Sequence, residues 1–425
     1  MNKKLWLIAI SLTLSTAGAR ADDAAVTERL EALQKEIESL KDEVATSRAA
    51  QEADATTPLE FENAAQRAEA QRTAIGGYGE IVYNNFRESG SKDQADLKRF
   101  VLFFGHRFDD RLKLYSELEI EHAFAKNGVD PAQGEVEMEQ AYIELSLTDQ
   151  MNLRTGLMIV PAGIINEYHE PPVFYGVERN EIETRIIPTT WRELGIALQG
   201  NALDGLEYNV GITTTPDATQ YNDATRGFRD MRTSGSKAPA NDLGFFAALN
   251  YRGMPGLLLG GSVFSGNTGH DGEGASPTVT ALNGVNVKLT LAEIHGRYSF
   301  AGLDLRALYA RGTLGDTARL NAARGIAAGS GKAAPDEFYG WYTEAAYHVY
   351  KRGHTDIAPF VRFERYNTQK KVTDGFTKDP KNDEQVVTIG VNFWVHPQVV
   401  FKMDVQNFDT DDLKDRFNLG VGYMF

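Results

Sequence analysis

From residue 76 to the C-terminus, apolar and polar residues take turns. In LKLYSELEIEH, Leu112, Leu114, Leu118 and Ile120 share one parity, against Lys113, Tyr115, Glu117, Glu119 and Glu121. In EQVVTIGVNFWV, Val387, Ile389, Val391 and Phe393 oppose Thr388, Gly390 and Asn392. In QVVFKMDVQNF, Val399, Phe401, Met403 and Val405 oppose Val400, Lys402, Asp404 and Gln406. A period of two marks a strand with one face against an apolar medium. The pattern predicts sixteen strands, over 76–88, 97–108, 111–124, 134–147, 151–160, 191–201, 206–215 and 243–251, then 257–265, 284–299, 303–314, 338–350, 356–366, 384–394, 399–408 and 416–425. The tenth changes phase around Ala292, which predicts a bulge.

The connections decide the architecture. Seven are short: 109–110, 148–150, 202–205, 252–256, 300–302, 351–355 and 395–398. Eight are mostly longer: 89–96, 125–133, 161–190, 216–242, 266–283, 315–337, 367–383 and 409–415. Long and short alternate throughout. An even strand count with tight turns at one end and long loops at the other predicts an all-β, 16-stranded antiparallel transmembrane β-barrel over 76–425. A soluble sandwich would also alternate, but it would not explain the asymmetry of the connections. Nor would a packed core accept Lys402 and Asp404 on the inner face without pairing, whereas a wet lumen does. Aromatics near strand ends (Phe86, Trp191, Tyr251, Tyr298, Tyr350, Trp394, Phe408, Tyr423 and Phe425) are expected in the interfacial girdles.

The N-terminus carries two other patterns. Lys3 and Lys4, an apolar run from Leu5 to Leu14 and Ala19-Arg20-Ala21 have the order of a secretory signal, so 1–21 is expected to be cleaved. Val26, Leu30, Leu33, Ile37, Leu40 and Val44 then repeat at spacings of four and three, which predicts an α-helical coiled coil over 22–48. Its length leaves dimer and trimer open. Residues 49–75 read as a polar linker. An even number of strands puts this segment and Phe425 on the short-turn side, expected to be periplasmic.

Charge and composition narrow the function. The chain of 425 residues has a net charge of −15, and loss of Lys3, Lys4 and Arg20 takes it to −18. An acidic chain disfavours nucleic acid as a partner. The absence of cysteine excludes disulfides and thiolate metal sites. No nucleotide-binding or hydrolase motif occurs, so no enzyme activity and no cofactor is expected. EYHE at 167–170 lacks the spacing of a zinc-binding helix and runs into Pro171 and Pro172, so His169 is expected to be a surface residue and no metal is assigned. Asp409, Asp411, Asp412 and Asp415 cluster without the glycine and closing Glu of a calcium loop and are expected to be solvated, with a weak calcium or lipopolysaccharide-bridging site left open.

One connection stands apart. Residues 161–190, PAGIINEYHEPPVFYGVERNEIETRIIPTT, are too apolar for a solvated loop and are stiffened by Pro161, Pro171, Pro172 and Pro188. They form the third long loop, and folding inward to narrow the lumen is the simplest way to bury them. The stretch from GLMIVPAGIINEYHEPP through FYGVERNEIETRIIPTTWRELG, residues 156–195, resembles the porins grouped with the phosphate-selective O and P type. That resemblance implies a trimeric outer-membrane channel with its third loop in the pore and a C-terminal phenylalanine read by the barrel-assembly machinery.

The candidate constriction residues are Glu167, Glu170, Glu178, Arg179, Glu181, Glu183 and Arg185. The candidate pore wall supplies Arg99, Arg107, Lys113, Arg154, Arg297, Arg306, Arg362 and Lys402, with Arg111 and Arg416. Glu117, Glu119, Glu121, Glu144, Asp304, Glu344, Glu364 and Asp404 stand among them. An acidic loop facing a basic wall gives a transverse field suited to small polar or anionic solutes, phosphate among them. The expected function is passive diffusion across the outer membrane, with membrane lipid and two further copies of the chain as partners. Two alternatives stay open: a surface receptor or adhesin with a plugged lumen, and a barrel enzyme.

Overall fold

The computed structural model describes Lys35 and residues 72–88, 93–124, 134–272 and 282–425. The expected signal segment, the coiled coil apart from Lys35 and nearly all of the linker lie outside these residues. The strands are β1 (Thr73–Phe86), β2 (Gln94–Arg107), β3 (Leu112–Glu121), β4 (Val136–Thr148), β5 (Met151–Ile159) and β6 (Arg192–Leu203). They continue as β7 (Leu206–Thr214), β8 (Leu243–Tyr251), β9 (Leu257–Asn267), β10 (Lys288–Phe300), β11 (Leu303–Leu314) and β12 (Pro335–Tyr347). The last are β13 (Tyr350–Arg352), β14 (Thr355–Val372), β15 (Asp383–His396), β16 (Val399–Phe408) and β17 (Arg416–Met424). β12 and β13 both pair with β14 and are two pieces of one barrel strand, so the barrel has sixteen.

Every strand pairs antiparallel with its chain neighbours, and β1 closes the ring against β17, with Tyr78 opposite Met424 and Phe86 opposite Arg416. Phe425 extends that seam by exchanging backbone hydrogen bonds with Gly77. At the short-turn end, Ala301 (φ 49°) and Gly302 (φ 82°) make the two-residue left-handed turn that matches strand twist.

The alternation fixes which way each side chain points. Ile294, Ile389, Phe401, Met403 and Leu419 are exposed on the outer face. Arg362, Glu364, Thr388, Asn392, Lys402, Asp404 and Asn418 are buried on the inner one. The girdle assignment is corrected at three positions. Trp191 and Phe408 are buried in an internal apolar cluster, and Trp394 packs on Tyr175 of loop 161–190.

The bulge expected near Ala292 is absent: β10 keeps register with β9 and β11 from Leu289 to Tyr298 without a shift. What changes there is the medium inside the barrel. Leu289 and Leu291 point inward like Glu293 and Arg297, but they pack in an apolar cluster beneath the long loops with Phe228, Phe264, Leu308 and Phe338. The upper lumen along β8–β12 is therefore dry, which corrects the expectation of a wet lumen throughout. The sequence looks out of phase because apolar residues face inward at that level and outward below it.

Register shifts lie elsewhere, and two of them bear on the lumen. Glu80 pairs with Arg99 and Ile81 with Leu97, so Lys98 is an extra residue. Glu117 pairs with Gln140 and Leu118 with Met138, so Glu139 is extra. Each bulge turns two successive polar residues toward the lumen.

Candidate functional site

Loop 161–190 is folded into the barrel and hydrogen-bonded to the inner wall along its length. Arg306 donates to the Val173 carbonyl (3.1 Å), Arg362 to those of Tyr175 (3.2 Å) and Glu178 (3.3 Å), and Lys402 to that of Gly176 (2.8 Å). In return the Val177 N–H donates to Asp404 (2.6 Å) and the Glu181 N–H to Glu364 (2.6 Å). The Tyr175 hydroxyl donates to Asp304 (3.1 Å). Wall glycines make room for this seat. A Cβ on Gly422 would stand 2.3 Å from Cβ of Pro171, and one on Gly340 about 3 Å from Ile182 and Ile186. Inside the loop, Glu183 is almost fully buried and accepts from the Ile164 and Ile165 N–H groups, Asn180 and Tyr342. Burial raises its carboxyl above the ordinary range despite these donors.

Beside the loop a cavity of about 280 Å³ remains. Eight cationic side chains line it, Lys98, Arg99, Arg179, Arg185, Arg192, Arg229, Arg232 and Arg416, against six glutamates, Glu119, Glu121, Glu137, Glu139, Glu178 and Glu181. Lys98 binds Glu178 at 2.5 Å, and Asn84 donates to the same carboxylate. Burial opposes ionisation of Glu178, but Lys98 and Arg416 prevail and hold its carboxyl well below the usual range. Arg185 pairs with Glu181, and Arg192 with Glu137. Arg232 donates to the carbonyls of Thr189 and Thr190. Nε of Arg229 has no hydrogen-bond partner. Burial and neighbouring guanidinium groups push Arg229 down to about 10 and Arg232 to about 9, so both remain charged at neutral pH.

The residues singled out in the sequence divide into groups. Glu178, Arg179, Glu181, Arg185 and Arg99 border the cavity. Arg306, Arg362 and Lys402 grip the loop's backbone rather than a passage. Glu183 is a strut, and Glu170 is buried with one oxygen unpartnered. Glu167 lies within electrostatic reach of Arg154 and Arg252, away from the cavity lining. Arg154 binds Glu144 (2.8 Å), and Arg297 binds Asp304 through two bonds. Arg107 and Lys113 flank the 109–110 turn at the opposite end of the barrel. Lys98, Arg192, Arg229, Arg232, Glu137 and Glu139 escaped the sequence reading. For Lys98 and Glu139 a signal exists: the apolar parity slips between Leu97 and Phe100, and again between Met138 and Ala141.

The charges around the cavity are interleaved: the inserted loop brings Arg179 and Arg185 together with Glu178 and Glu181, and the wall brings Glu119, Glu121, Glu137 and Glu139 together with Lys98, Arg99 and Arg192.

His169 is not a surface residue. It is buried, with Nδ1 3.0 Å from the Asn166 carbonyl and Nε2 facing Glu139 (3.4 Å) and Glu117 (3.7 Å). Burial disfavours its charged form, but Glu139 and Glu117 outweigh this and raise it to about 10. In the 409–415 cluster, Asp411 is paired with Lys381 and Lys414, and Asp415 accepts from Asn407 and the Phe408 N–H.

This closed sixteen-stranded barrel, with a long loop folded inside, is the fold of the outer-membrane porins. Salmonella typhi OmpF, solved in complex with daunomycin, matches with a TM-score of 0.54 and 12% identity, covering 83% of this chain and 97% of that one. A loop L8 deletion mutant of OmpT, an outer membrane protein of Vibrio cholerae, matches at 0.51 and 10% identity, covering 83% and 99%. At these identities the likeness concerns the fold. No protein-family model matches the chain. An uncharacterized protein of Aquifex aeolicus is 31% identical over 361 residues, 83% of this chain and 80% of that one. The chain belongs to the same family as that protein.

Proposed function

We propose that this protein is an outer-membrane channel for passive diffusion of small polar solutes, with a preference for anions, and that loop 161–190 is its constriction. The observation that carries the reading is the cavity beside the inserted loop, where eight cations meet six glutamates. Guanidinium forks replace the hydration of a phosphate or carboxylate with charge-assisted hydrogen bonds, so inorganic phosphate fits the lining. Opposed charges across a narrow passage also orient polar and zwitterionic solutes. On this reading the short turns and residues 22–48 face the periplasm, the long loops face outward, and the channel is a homotrimer, in keeping with the resemblance of 156–195 to phosphate-selective porins.

The test is planar-bilayer conductance of the purified protein, with a reversal potential across a salt gradient and a phosphate titration. Stepwise conductance with an anion-selective reversal potential, reduced by phosphate, is expected. A cation-selective pore overturns the anion preference and leaves the channel. Absence of conductance steps overturns the channel.

A second reading, a barrel closed to solutes whose outer loops serve as a receptor surface, draws on one observation. The upper lumen holds a dry cluster that includes Trp191, Phe228, Phe264 and Phe338. The same recording separates the two.

A further inference from the structure

We propose that Glu117, Glu139 and His169 form a binding site for one first-row divalent transition-metal ion, with Zn²⁺ as the probe, and that this ion ties the inserted loop to the β3–β4 wall. The inference goes beyond the channel reading and does not depend on it.

The three residues offer one imidazole nitrogen and two carboxylate oxygens, all within 4.8 Å of one another. Nε2 of His169 stands 3.4 Å from Oε2 of Glu139 and 3.7 Å from Oε1 of Glu117. Ligands bound at roughly 2.0–2.1 Å on a tetrahedral ion are about 3.4 Å apart, a spacing that both imidazole–carboxylate separations nearly match. The supporting groups are also in place. A carbonyl only accepts, so the contact with Asn166 makes Nδ1 of His169 the donor and leaves Nε2 for the site. This is the usual posture of a metal-binding histidine. Gln140 donates to the other oxygen of Glu117 (2.7 Å), and Tyr78 donates to Glu139 (3.4 Å).

A further observation points to a missing partner. Oε1 of Glu117 and Oε1 of Glu139 have no hydrogen-bond partner, although both residues are almost fully buried. Glu139 is also the extra residue of the β4 bulge, which places it and Gln140 side by side in the lumen. A divalent ion bound there takes the place of the proton on His169, which is released to solvent. The imidazole favours a transition metal over Ca²⁺ or Mg²⁺. Glu139 borders the cavity, which gives the ion a route in and a water its fourth position.

The test uses the full chain in detergent, stripped with a chelator, and titrated calorimetrically with ZnCl₂. One Zn²⁺ per chain is expected, with an affinity reduced about 100-fold by His169→Gln or Glu139→Gln. Heat-modifiable electrophoretic mobility checks that the variants fold. Co²⁺ added to the unmutated chain provides a readout independent of any variant, since a four-coordinate site gives an intense visible d–d band that Zn²⁺ displaces. Binding no tighter than in His169→Gln, weak binding at several sites, or no such Co²⁺ band would each overturn the proposal. In those cases His169 is an imidazolium bridging two carboxylates and nothing more. None of these outcomes bears on the reversal potential.

Discussion

Neutralising Arg229 isolates the part of the cavity's field that no salt bridge offsets. Its Nε has no hydrogen-bond partner, and among the described residues no carboxylate forms an ion pair with it, so Arg229→Gln removes charge without leaving a buried acid behind. A cavity of about 280 Å³ has an equivalent radius of about 4 Å. The wall charge then lies roughly 6 Å from an ion at its centre. One unit charge at that distance is worth about 0.7 kcal/mol at the permittivity of water and about 1.4 at half of it. The anion loses that attraction and a cation loses an equal repulsion, so the anion-to-cation permeability ratio should fall about tenfold to hundredfold, since 1.4 kcal/mol is tenfold at room temperature. The assay is the reversal potential in planar bilayers at an ionic strength near 0.1 M, where the Debye length is about 10 Å and the charge is not screened. Raising the salt to about 1 M, where that length is about 3 Å, should erase most of the difference. Glu178→Gln, which removes the nearer of the two carboxylates paired with Lys98, should shift the potential the other way. An unchanged potential in Arg229→Gln, or a shift in the same direction for both variants, would refute the assignment of this cavity to the ion path.

Three further outcomes test other links. Glu183→Ala strands the buried Ile164 and Ile165 N–H groups and should cost the loop's seat about 3–5 kcal/mol, read as protease cleavage within 161–190 while the barrel keeps its heat-modifiable mobility. The Glu178 carboxyl is depressed in the folded protein, so its latch to Lys98 is fully present above the ordinary carboxylate range and is lost as pH falls through the depressed value. Channel flicker from this latch should be flat between about pH 5 and 8 and rise only below about pH 4, and an onset near pH 6 would assign it to another group. Ile294 is two-thirds exposed on the outer face, and Ile294→Lys should destabilise the barrel in lipid by about 2–4 kcal/mol if that face meets the membrane midplane, measured by urea unfolding in liposomes.

The wall was legible in the sequence because strand pairing is a local rule repeated sixteen times. A period of two sets the face of each side chain, and the alternation of short turns and long loops sets the closure. The ending RFNLGVGYMF already shows its outer parity in Phe417, Leu419, Val421 and Tyr423, and the structure pairs that strand with β1. The composition of 161–190 also announced a loop that must be buried.

What the loop touches was not legible. Val177 meets Asp404 across 227 positions, and Tyr175 meets Asp304 across 129. No local period relates such pairs, so wall cations such as Arg362 and Lys402 read as a pore lining when they are the loop's anchors. The sequence alone therefore determined a sixteen-stranded wall with a packed loop to place. Only the tertiary structure decided which part of the lumen is dry, which charges face the remaining cavity, and that a bulge in β4 brings Glu139 to His169. Inside a closed barrel those outcomes depend on which distant side chains meet across the lumen.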